Sequence, residues 1–329
     1  MTNTLYKKFL LGKKGIFFTI ISLILVIMIL LIVSYKFSNK LRFKEVVISR
    51  RVDSVNNLIK SIDNDLERAI FISGFRTILG MQQYIEEHGV FFNNTEDSFR
   101  EIFLFGKFGN ETISIMNDSS FLNWTSRIIE KSRELNVRVN FTNINVSVWQ
   151  QDPWNVKVRV VMLGSFSEMS GLGNWSYYFN RTSTISIIGF EDPLYIVNGY
   201  GKVTNTINKT PISDFVVGND TTNLLFHLNH SLYKESTRAP SFLMRFSNNL
   251  NASSVGIESL VNLNDFIEAG IPTRTKSVVD YIYFSNRTTS DLCVDNDKAE
   301  PDLPSWFRLD LNDDHVGTYE IGGINKTCS

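Results

Sequence analysis

The sequence predicts an α+β protein in which an N-terminal transmembrane helix continues into a long amphipathic helix, followed by a mixed head with an antiparallel β-meander. Three observations predict this arrangement: an uncharged apolar run near the N-terminus, a heptad stripe directly after it, and a later change from helical to alternating apolar spacing. With 329 residues, the chain is long enough to bury a substantial core.

The apolar run covers residues 16–35 and reads IFFTIISLILVIMILLIVSY, without a charged residue. At a rise of ~1.5 Å per residue, a helix of this length spans the ~30 Å hydrocarbon core of a bilayer. The run exceeds the apolar region of a cleavable secretory signal, and no small-residue cleavage site follows it. We therefore expect a transmembrane helix over 15–35, in contact with membrane lipid, after a short basic tail at 1–14.

A heptad stripe follows the apolar run. Apolar residues recur there with alternating spacings of four and three, at Ile48, Val52, Val55, Ile59, Ile62, Leu66 and Ala69. Neither Gly nor Pro interrupts residues 16–72, so the pattern predicts one helix from the membrane to about Ser73. Gly74 is expected to mark a bend and Gly89 the end, which gives a helical stalk over 36–89.

The stripe over 48–69 has two interpretations. The helix either packs on its own globular domain, or it forms a helix–helix seam with a second copy of the chain or a related subunit. Three heptads do not distinguish them.

The remainder, 90–329, is expected to form a single α+β domain. Helices are predicted over Ser98–Phe105 and Ser120–Leu135. Alternating apolar residues then predict a three-stranded meander over about 135–190, with Gly171 and Gly173 in a hairpin loop. Beyond it, the sequence predicts three short helices and one strand, at 221–232, 240–247, 256–268 and Val278–Phe284.

The net charge of −1 hides an asymmetry between the two ends of the chain. Residues 1–44 carry eight basic and no acidic side chains, which leaves 25 basic against 34 acidic residues in the remainder. An acidic head argues against a nucleic-acid partner, because such proteins need a basic footprint. Lysines flank both ends of the membrane run, so the positive-inside rule does not decide its orientation.

Glycosylation sequons decide the orientation instead. Fourteen Asn-x-Ser/Thr sequons follow the membrane run, where composition alone predicts about five. The motif marks accessible surface on an exported chain, so we expect a cytoplasmic N-terminus and an extracellular C-terminal domain. The candidate sites are Asn93, Asn110, Asn117, Asn123, Asn140, Asn145, Asn174, Asn180, Asn208, Asn219, Asn229, Asn251, Asn286 and Asn325.

The two cysteines, Cys293 and Cys328, both lie near the C-terminus of the exported part. A disulfide between them would close a loop of ~35 residues, which stabilises the fold by ~3–4 kcal/mol in the chain-entropy model. Two buried free thiols are the alternative. Neither cysteine belongs to a Cys-x-x-Cys motif, so a structural zinc site is not expected.

Residues that carry chemistry are scarce. His227 and His230 are three apart on a predicted helix, but their simpler interpretation is two partly exposed helix residues. The Asp-x-Asn-x-Asp sequence at 310–314 opens like a calcium loop, but His315 replaces the required Gly and Ile321 the bidentate Glu. No nucleophile, zinc-protease or phosphate-loop motif is present in the sequence. We therefore expect no enzyme, cofactor or metal site.

The residues before the apolar run are Gly12, Lys13, Lys14 and Gly15, and Ile16 begins it. Lys-Lys-Gly in this position resembles the class III signal of archaeal type IV prepilin-like proteins. The resemblance implies cleavage between Gly15 and Ile16, with the apolar helix kept for packing inside a filament.

Two positions depart from the family pattern. Ile20 stands where the bacterial pattern has Glu, and Phe18 stands where the archaeal pattern often has Gln. The alternative is an uncleaved anchor whose lysines are an ordinary basic flank, since Lys anchors helices at interfaces.

The head resembles an uncharacterised family of archaeal single-pass membrane proteins. This resemblance implies a lineage and no particular activity. The segments that carry it are GFEDPLY at 189–195, PSFLMR at 240–245, GIESLVN at 256–262 and PSWFR at 304–308.

These observations predict a non-catalytic, membrane-anchored cell-surface glycoprotein with a structural or adhesive role. A pilin-like filament subunit and a simple anchored domain are the two versions of this role. A receptor domain that binds an extracellular solute is the alternative, and it requires a pocket with convergent polar groups in the head.

Overall fold

The computed structural model describes residues 13–311 and 314–328, and it confirms the mixed α+β class. Helix α1 is continuous over Lys13–His88. At ~1.5 Å per residue its 76 residues extend about 115 Å. The absence of Gly and Pro from residues 16–72 accounts for this continuity.

The heptad stripe of α1 is covered by the chain's own head over most of its length. Val55, Ile59, Ile62, Leu66 and Ala69 are buried, whereas Ile48 and Val52 are exposed. The intramolecular interpretation is therefore correct from Val55 onward. The side chains from Val55 to Ala69 already lie in the core, so within the 48–69 face they are not available for a seam with a second copy.

Two further expectations about α1 need correction. The helical stalk predicted over 36–89 is too long, because α1 residues from Val55 to Ile85 contribute to the core of the head. Gly74 does not interrupt the helix. A Cβ atom there would lie 2.7 Å from Ile185 Cδ1 and 3.3 Å from Val158 Cγ2, so the glycine permits close packing of a β-sheet.

Helix α2 (Thr95–Phe105) and helix α3 (Phe121–Glu134) confirm the two predicted helices. Asn94 and Ser120 cap them, because their side-chain oxygens accept backbone N–H groups of the first turn. A short hairpin of β1 (Lys107–Phe108) and β2 (Glu111–Thr112) connects the two helices, followed by a 3-10 turn.

The predicted meander is present as β3 (Val137–Asp152), β4 (Asn155–Glu168) and β5 (Asn174–Ser186), antiparallel in that order. Gly171 takes a positive φ in the predicted β4–β5 loop. Alternate β4 residues from Val156 to Met162 are buried in the same core as α1.

Polar contacts fix the register between α1 and the sheet. Arg51 Nη1 lies 3.0 Å from Glu168 Oε1 at the β4–β5 loop. Further along the helix, Arg181 Nε donates to Asp63 Oδ1 over 3.1 Å. The helix is thus attached by charge at the end of β4 and in the middle of β5, as well as by apolar packing.

Residues 187–328 form short elements, and their buried apolar residues are divided between the core of α1 and a second core that includes Leu194, Leu260 and Ile324. In chain order the elements are α4 (Pro193–Asn198), α5 (Thr222–Asn229), β6 (Tyr233–Glu235), α6 (Phe242–Arg245), β7 (Ile257–Ser259), α7 (Leu263–Glu268), α8 (Asp280–Tyr283), β8 (Asp291–Val294), β9 (Arg308–Asp310), α9 (His315–Thr318) and β10 (Asn325–Thr327). β6 pairs with β7, and the last sheet has the order β10-β8-β9.

Two secondary-structure predictions in this region are wrong. The first part of 256–268 is strand β7 rather than helix, and Val278–Phe284 contains helix α8 rather than a strand. Every residue of Val278–Phe284 is buried, so its apolar residues follow neither a helical nor a strand period. The pattern therefore did not distinguish a helix from a strand. The predicted helices at 221–232 and 240–247 are present in shortened form.

The disulfide between Cys293 and Cys328 is confirmed. Cys293 lies in β8, which pairs with β10, and Cys328 directly follows β10. The bond closes a separation of 35 residues and so ties the chain end to the last sheet.

Candidate functional site

A candidate membrane-spanning segment is the clearest functional feature of the structure. Among the described residues, α1 is the one helix long and apolar enough to cross a bilayer. An 18-residue window of it has a mean hydropathy of 3.1, and none of that window is buried. The described side chains from 17 to 46 are all exposed. Such a helix needs lipid, or other apolar helices, around it.

The prepilin-like residues lie at the start of α1. The backbone of Lys13, Lys14, Gly15 and Ile16 is helical, and their side chains lie outside the described set. Most of the predicted basic tail, residues 1–12, also lies outside the described residues. Cleavage between Gly15 and Ile16 therefore stays a prediction.

The sequon asparagines are almost uniformly accessible. Thirteen of the fourteen are exposed, and Asn325 is half-buried. Asn325 Nδ2 also donates to the carbonyl oxygens of Ile321 and Gly322, over 3.2 and 2.9 Å. Its amide nitrogen, the atom that a glycan would modify, is thus engaged in the fold.

Four sequons share the outer face of the β3–β4–β5 sheet. Asn140 and Asn145 lie on β3, and Asn174 and Asn180 lie on β5. Asn145 and Asn180 are opposite the same β4 residue, Val161. Glycans at these positions would cover the side of the sheet that faces away from α1.

A buried ion cluster joins the short elements of residues 187–328. Arg245 Nη1 lies 2.5 Å from Asp192 Oδ2 and 2.8 Å from Asp280 Oδ2, and all three side chains are fully buried. Tyr233 donates to Asp192 over 2.8 Å, and the Ser259 hydroxyl lies 3.1 Å from Asp280. The cluster joins α4, β6, α6, β7 and α8.

The charges in this cluster do not balance, because one guanidinium faces two carboxylates. Burial raises the pKa of Asp280 to about 6, against the lowering effect of Arg245. Burial lowers the pKa of Arg245, but the carboxylates of Asp192 and Asp280 outweigh it and raise that pKa. Arg245 therefore stays charged and holds both carboxylates in the core.

Sequence reasoning missed this cluster. Apart from Tyr233, its members lie in the segments at 189–195, 240–245 and 256–262, on which the family resemblance rests, and in the run from Val278 to Phe284. An ionisable residue inside an apolar run was the available sign, because such a residue must find a partner when the run is buried. Nothing in the sequence identified the partner.

A second polar group lies beside the first. The Tyr319 hydroxyl donates to Glu258 Oε1 over 3.1 Å, and His315 Nε2 lies 3.4 Å from Glu258 Oε2. Burial raises the pKa of Glu258, but the hydrogen bond and charge of His315 outweigh it and lower that pKa. Glu258 and His315 are both sealed from solvent, so neither side chain reaches a substrate in this structure.

The two histidines of α5 do not converge. His227 is fully buried against the rings of Phe215 and Tyr319, which corrects the expectation of partial exposure. His230 is exposed, with Nδ1 bonded to the Phe226 carbonyl oxygen. Burial, with a smaller effect of Lys234, lowers the pKa of His227 to about 3, so its ring is neutral in the fold.

The acidic sequence at 310–314 is divided in the structure. Asp310 is buried in β9, and its Oδ1 accepts from the Ser290 backbone N–H over 3.3 Å. Asp314 is exposed and pairs with Arg238. Asn312 lies outside the described residues. The described members of the sequence therefore point to separate structural roles.

Elsewhere, Glu87, His88 and Glu111 bring one ligand-type atom each to within 4.8 Å of one another. Within the described part of the chain, this is the one such group of three His, Cys or carboxylate side chains. The pattern was not visible in the sequence, since Glu111 comes from the β1–β2 hairpin, 23 residues after His88.

Several open clefts lie on the described part of the head, and two of them are lined by many polar groups. The first, of about 340 Å³, is lined by polar groups that include Lys234, Ser236 and Arg238. The second, of about 610 Å³, lies at the start of α2 beside Trp149 and Gln150. Both are within the size range of small-molecule sites.

Comparison of the chain with protein-family models, curated proteins and solved structures found no match.

Replacing Arg245 by Met should lower the free energy of unfolding by about 3–5 kcal/mol, because two buried carboxylates lose their cation. Denaturant unfolding of the detergent-solubilised protein measures this loss. Adding Asp192→Asn and Asp280→Asn to Arg245→Met should restore part of it. The exposed pair of Arg100 and Asp97 gives the control, since Arg100→Met should cost less than about 1 kcal/mol. Equal losses of unfolding free energy in Arg245→Met and Arg100→Met would contradict this account.

The lowered pKa of His227 predicts that the free energy of unfolding falls in acid. Its pKa is about 3 in the fold, against 6.5 for an ordinary His, so between these values the unfolded chain binds more protons. Stability should therefore fall as the pH drops from about 6.5 towards 3, by up to about 1.4 kcal/mol per pH unit from this group. In His227→Gln, unfolding measured at several pH values should show a shallower slope. His230→Gln should keep the wild-type slope, and an unchanged slope in His227→Gln would disprove the assignment.

Proposed function

We propose that this chain is a non-catalytic cell-surface glycoprotein with residues 1–14 in the cytoplasm, 15–35 in the cell membrane and the head outside the cell. The observation that carries the proposal is the continuity of α1. Its first part is apolar and fully exposed, and its last part is the central helix of the head. A lipid bilayer is the environment that suits the first part.

A structural or adhesive role follows from the same continuity. The helix passes from the membrane segment to the head without a flexible linker, so it sets the height and tilt of the head above the bilayer. Exposed sequons on the outer sheet face support glycosylation of that surface. The sealed position of Glu258 and His315 supports a role that does not involve catalysis.

A pilin-like filament subunit is the more specific form of this proposal. Two observations favour it: Lys-Lys-Gly directly before the apolar helix, and a three-stranded sheet packed on the distal part of that helix. The exposed side chains from 17 to 46 would then pack on the same segments of neighbouring subunits. Of the 48–69 face, Ile48 and Val52 remain accessible for such contacts.

A receptor for a small solute is the alternative, supported by the cleft of about 610 Å³ beside Trp149. Its lining joins apolar residues such as Val148 and Met244 to amide and hydroxyl groups. That mixture is typical of ligand sites.

Protein isolated from its own cells should carry glycans at exposed sequons and none at Asn325, whose amide nitrogen is hydrogen-bonded within the fold. Mass spectrometry of glycopeptides measures occupancy at each site. Asn145→Gln and Asn180→Gln should each remove one glycan, whereas the matched Asn325→Gln should leave the glycan mass unchanged. Protease added to intact cells should cleave the head. An unglycosylated head that resists this protease would place it inside the cell.

The mature N-terminus separates the two forms of the proposal. A filament subunit processed as the resemblance implies should begin at Ile16, and Gly15→Leu should block that processing. Mass spectrometry of the intact protein gives the answer directly. Retention of residues 1–15 in the wild-type protein would eliminate the pilin-like form and leave the anchored glycoprotein.

A further inference from the structure

Three side chains of the types that bind metals meet at the C-terminal end of α1. Glu87 and His88 lie in its last turn, and Glu111 reaches them from β2. His88 Nε2 lies 3.1 Å from Glu111 Oε2, and the three ligand-type atoms lie within 4.8 Å of one another. About 80 Å of helix separates this site from the membrane segment.

The orientation of the His88 ring identifies which nitrogen carries the proton. Nδ1 lies 2.9 Å from the carbonyl oxygen of Tyr84, and the ring stacks on Tyr84 at 4.2 Å. A carbonyl oxygen only accepts, so Nδ1 must donate. In the neutral ring, Nε2 then carries a lone pair and can only accept a hydrogen bond. It faces the carboxylate of Glu111, which can also only accept. Two acceptors at 3.1 Å repel unless a cation, either a proton or a metal ion, lies between them.

The surroundings favour a metal ion. Gln83 Nε2 donates to Glu87 Oε1 over 2.7 Å, and Nδ1 of His88 donates to a backbone carbonyl. Partners of this kind orient ligands in metal sites. The C-terminal end of a helix also carries a partial negative charge that attracts cations.

The hairpin that supplies Glu111 is itself held in place. The Gly109 N–H donates to Glu101 Oε1 over 2.9 Å. Ile113 packs closely on Gly80 of α1, where an added Cβ atom would lie only 2.7 Å from its side chain. The third ligand is thus positioned by two contacts independent of the cluster.

We propose that Glu87, His88 and Glu111 bind one divalent transition-metal ion, with Zn²⁺ the preferred one. An imidazole with two carboxylates is an N/O ligand set that Zn²⁺ accepts, and three protein ligands leave a position for water or for a ligand from a partner. The two carboxylates balance the charge of the ion. Bound metal fastens the β1–β2 hairpin to the end of α1. The site does not depend on the proposed surface role.

The test uses the full chain in detergent micelles, purified without a polyhistidine tag and freed of metal by a chelator. Calorimetric titration with Zn²⁺ should give saturable binding of one ion to the wild-type protein. His88→Ala and Glu111→Gln should each weaken that binding at least tenfold. The thermal unfolding midpoint of the wild-type protein should rise with Zn²⁺ concentration, and that of His88→Ala should not.

His230 offers a matched control. Its Nδ1 lies 2.9 Å from the Phe226 carbonyl oxygen, and the ring centroids of His230 and Phe226 are 4.2 Å apart, the same distances as for His88 and Tyr84, with the rings tilted by 34° instead of stacked. Its side chain forms no ion pair with a carboxylate among the described residues, so His230→Ala should bind Zn²⁺ like the wild-type protein. Metal-free unfolding midpoints show whether each variant is folded.

Two results would overturn the proposal. If the wild-type protein shows no saturable Zn²⁺ binding, the contact between His88 and Glu111 is a proton-mediated ion pair only. If His88→Ala and the equally folded Glu111→Gln bind Zn²⁺ as tightly as the wild-type protein, any bound ion lies elsewhere.

Discussion

Helix α1 buries its apolar stripe from Val55 onward against β4, β5 and helices α2, α3 and α4, and this packing joins the membrane segment directly to the head. Each fully buried Val, Ile or Leu in the stripe contributes about 1.5–3 kcal/mol. Removing these side chains from water favours the helix over the whole of this part. The same helix continues into the membrane segment, so the packing of one helix face determines the position of the head relative to that segment.

The part of the chain at 187–328 relies on a different kind of interaction. Its elements are short, and several helices have only four to eight residues, so they gain little stability from their own hydrogen bonds. Arg245 joins segments that are distant in the chain through Asp192 and Asp280. A buried ion pair is weak evidence of net stability, but it does require one arrangement of its partners, since any other would leave a buried charge unpaired.

The surface divides into regions with different properties. The lower part of α1 is apolar, the outer sheet face carries four sequons, and the far end of α1 gathers two carboxylates around an imidazole. The disulfide fastens the C-terminal strand at the edge of the last sheet. The described residues thus place lipid-compatible, glycan-compatible and metal-compatible surfaces on separate elements of the chain.

The amino-acid sequence by itself determined the features that depend on local composition and period. These include the apolar run, the uninterrupted helix over 16–72, helices α2 and α3, and the meander. The continuation of α1 through Gly74 and the pairing of the two cysteines were not settled by the sequence. Only the tertiary structure decided which surface covers the Val55–Ala69 stripe, because an apolar stripe has no preference between its own domain and a second copy.

Contacts between distant segments were equally inaccessible to sequence reasoning. The helical state of Asp280–Tyr283 could not be predicted, because burial on all sides removes any period from the apolar pattern. The Arg245 cluster and the group around His88 each join residues from separate segments of the chain. Their charges and ligand types are visible in the sequence, but their proximity results from the packing of complete elements, a non-local property that residue spacing does not encode.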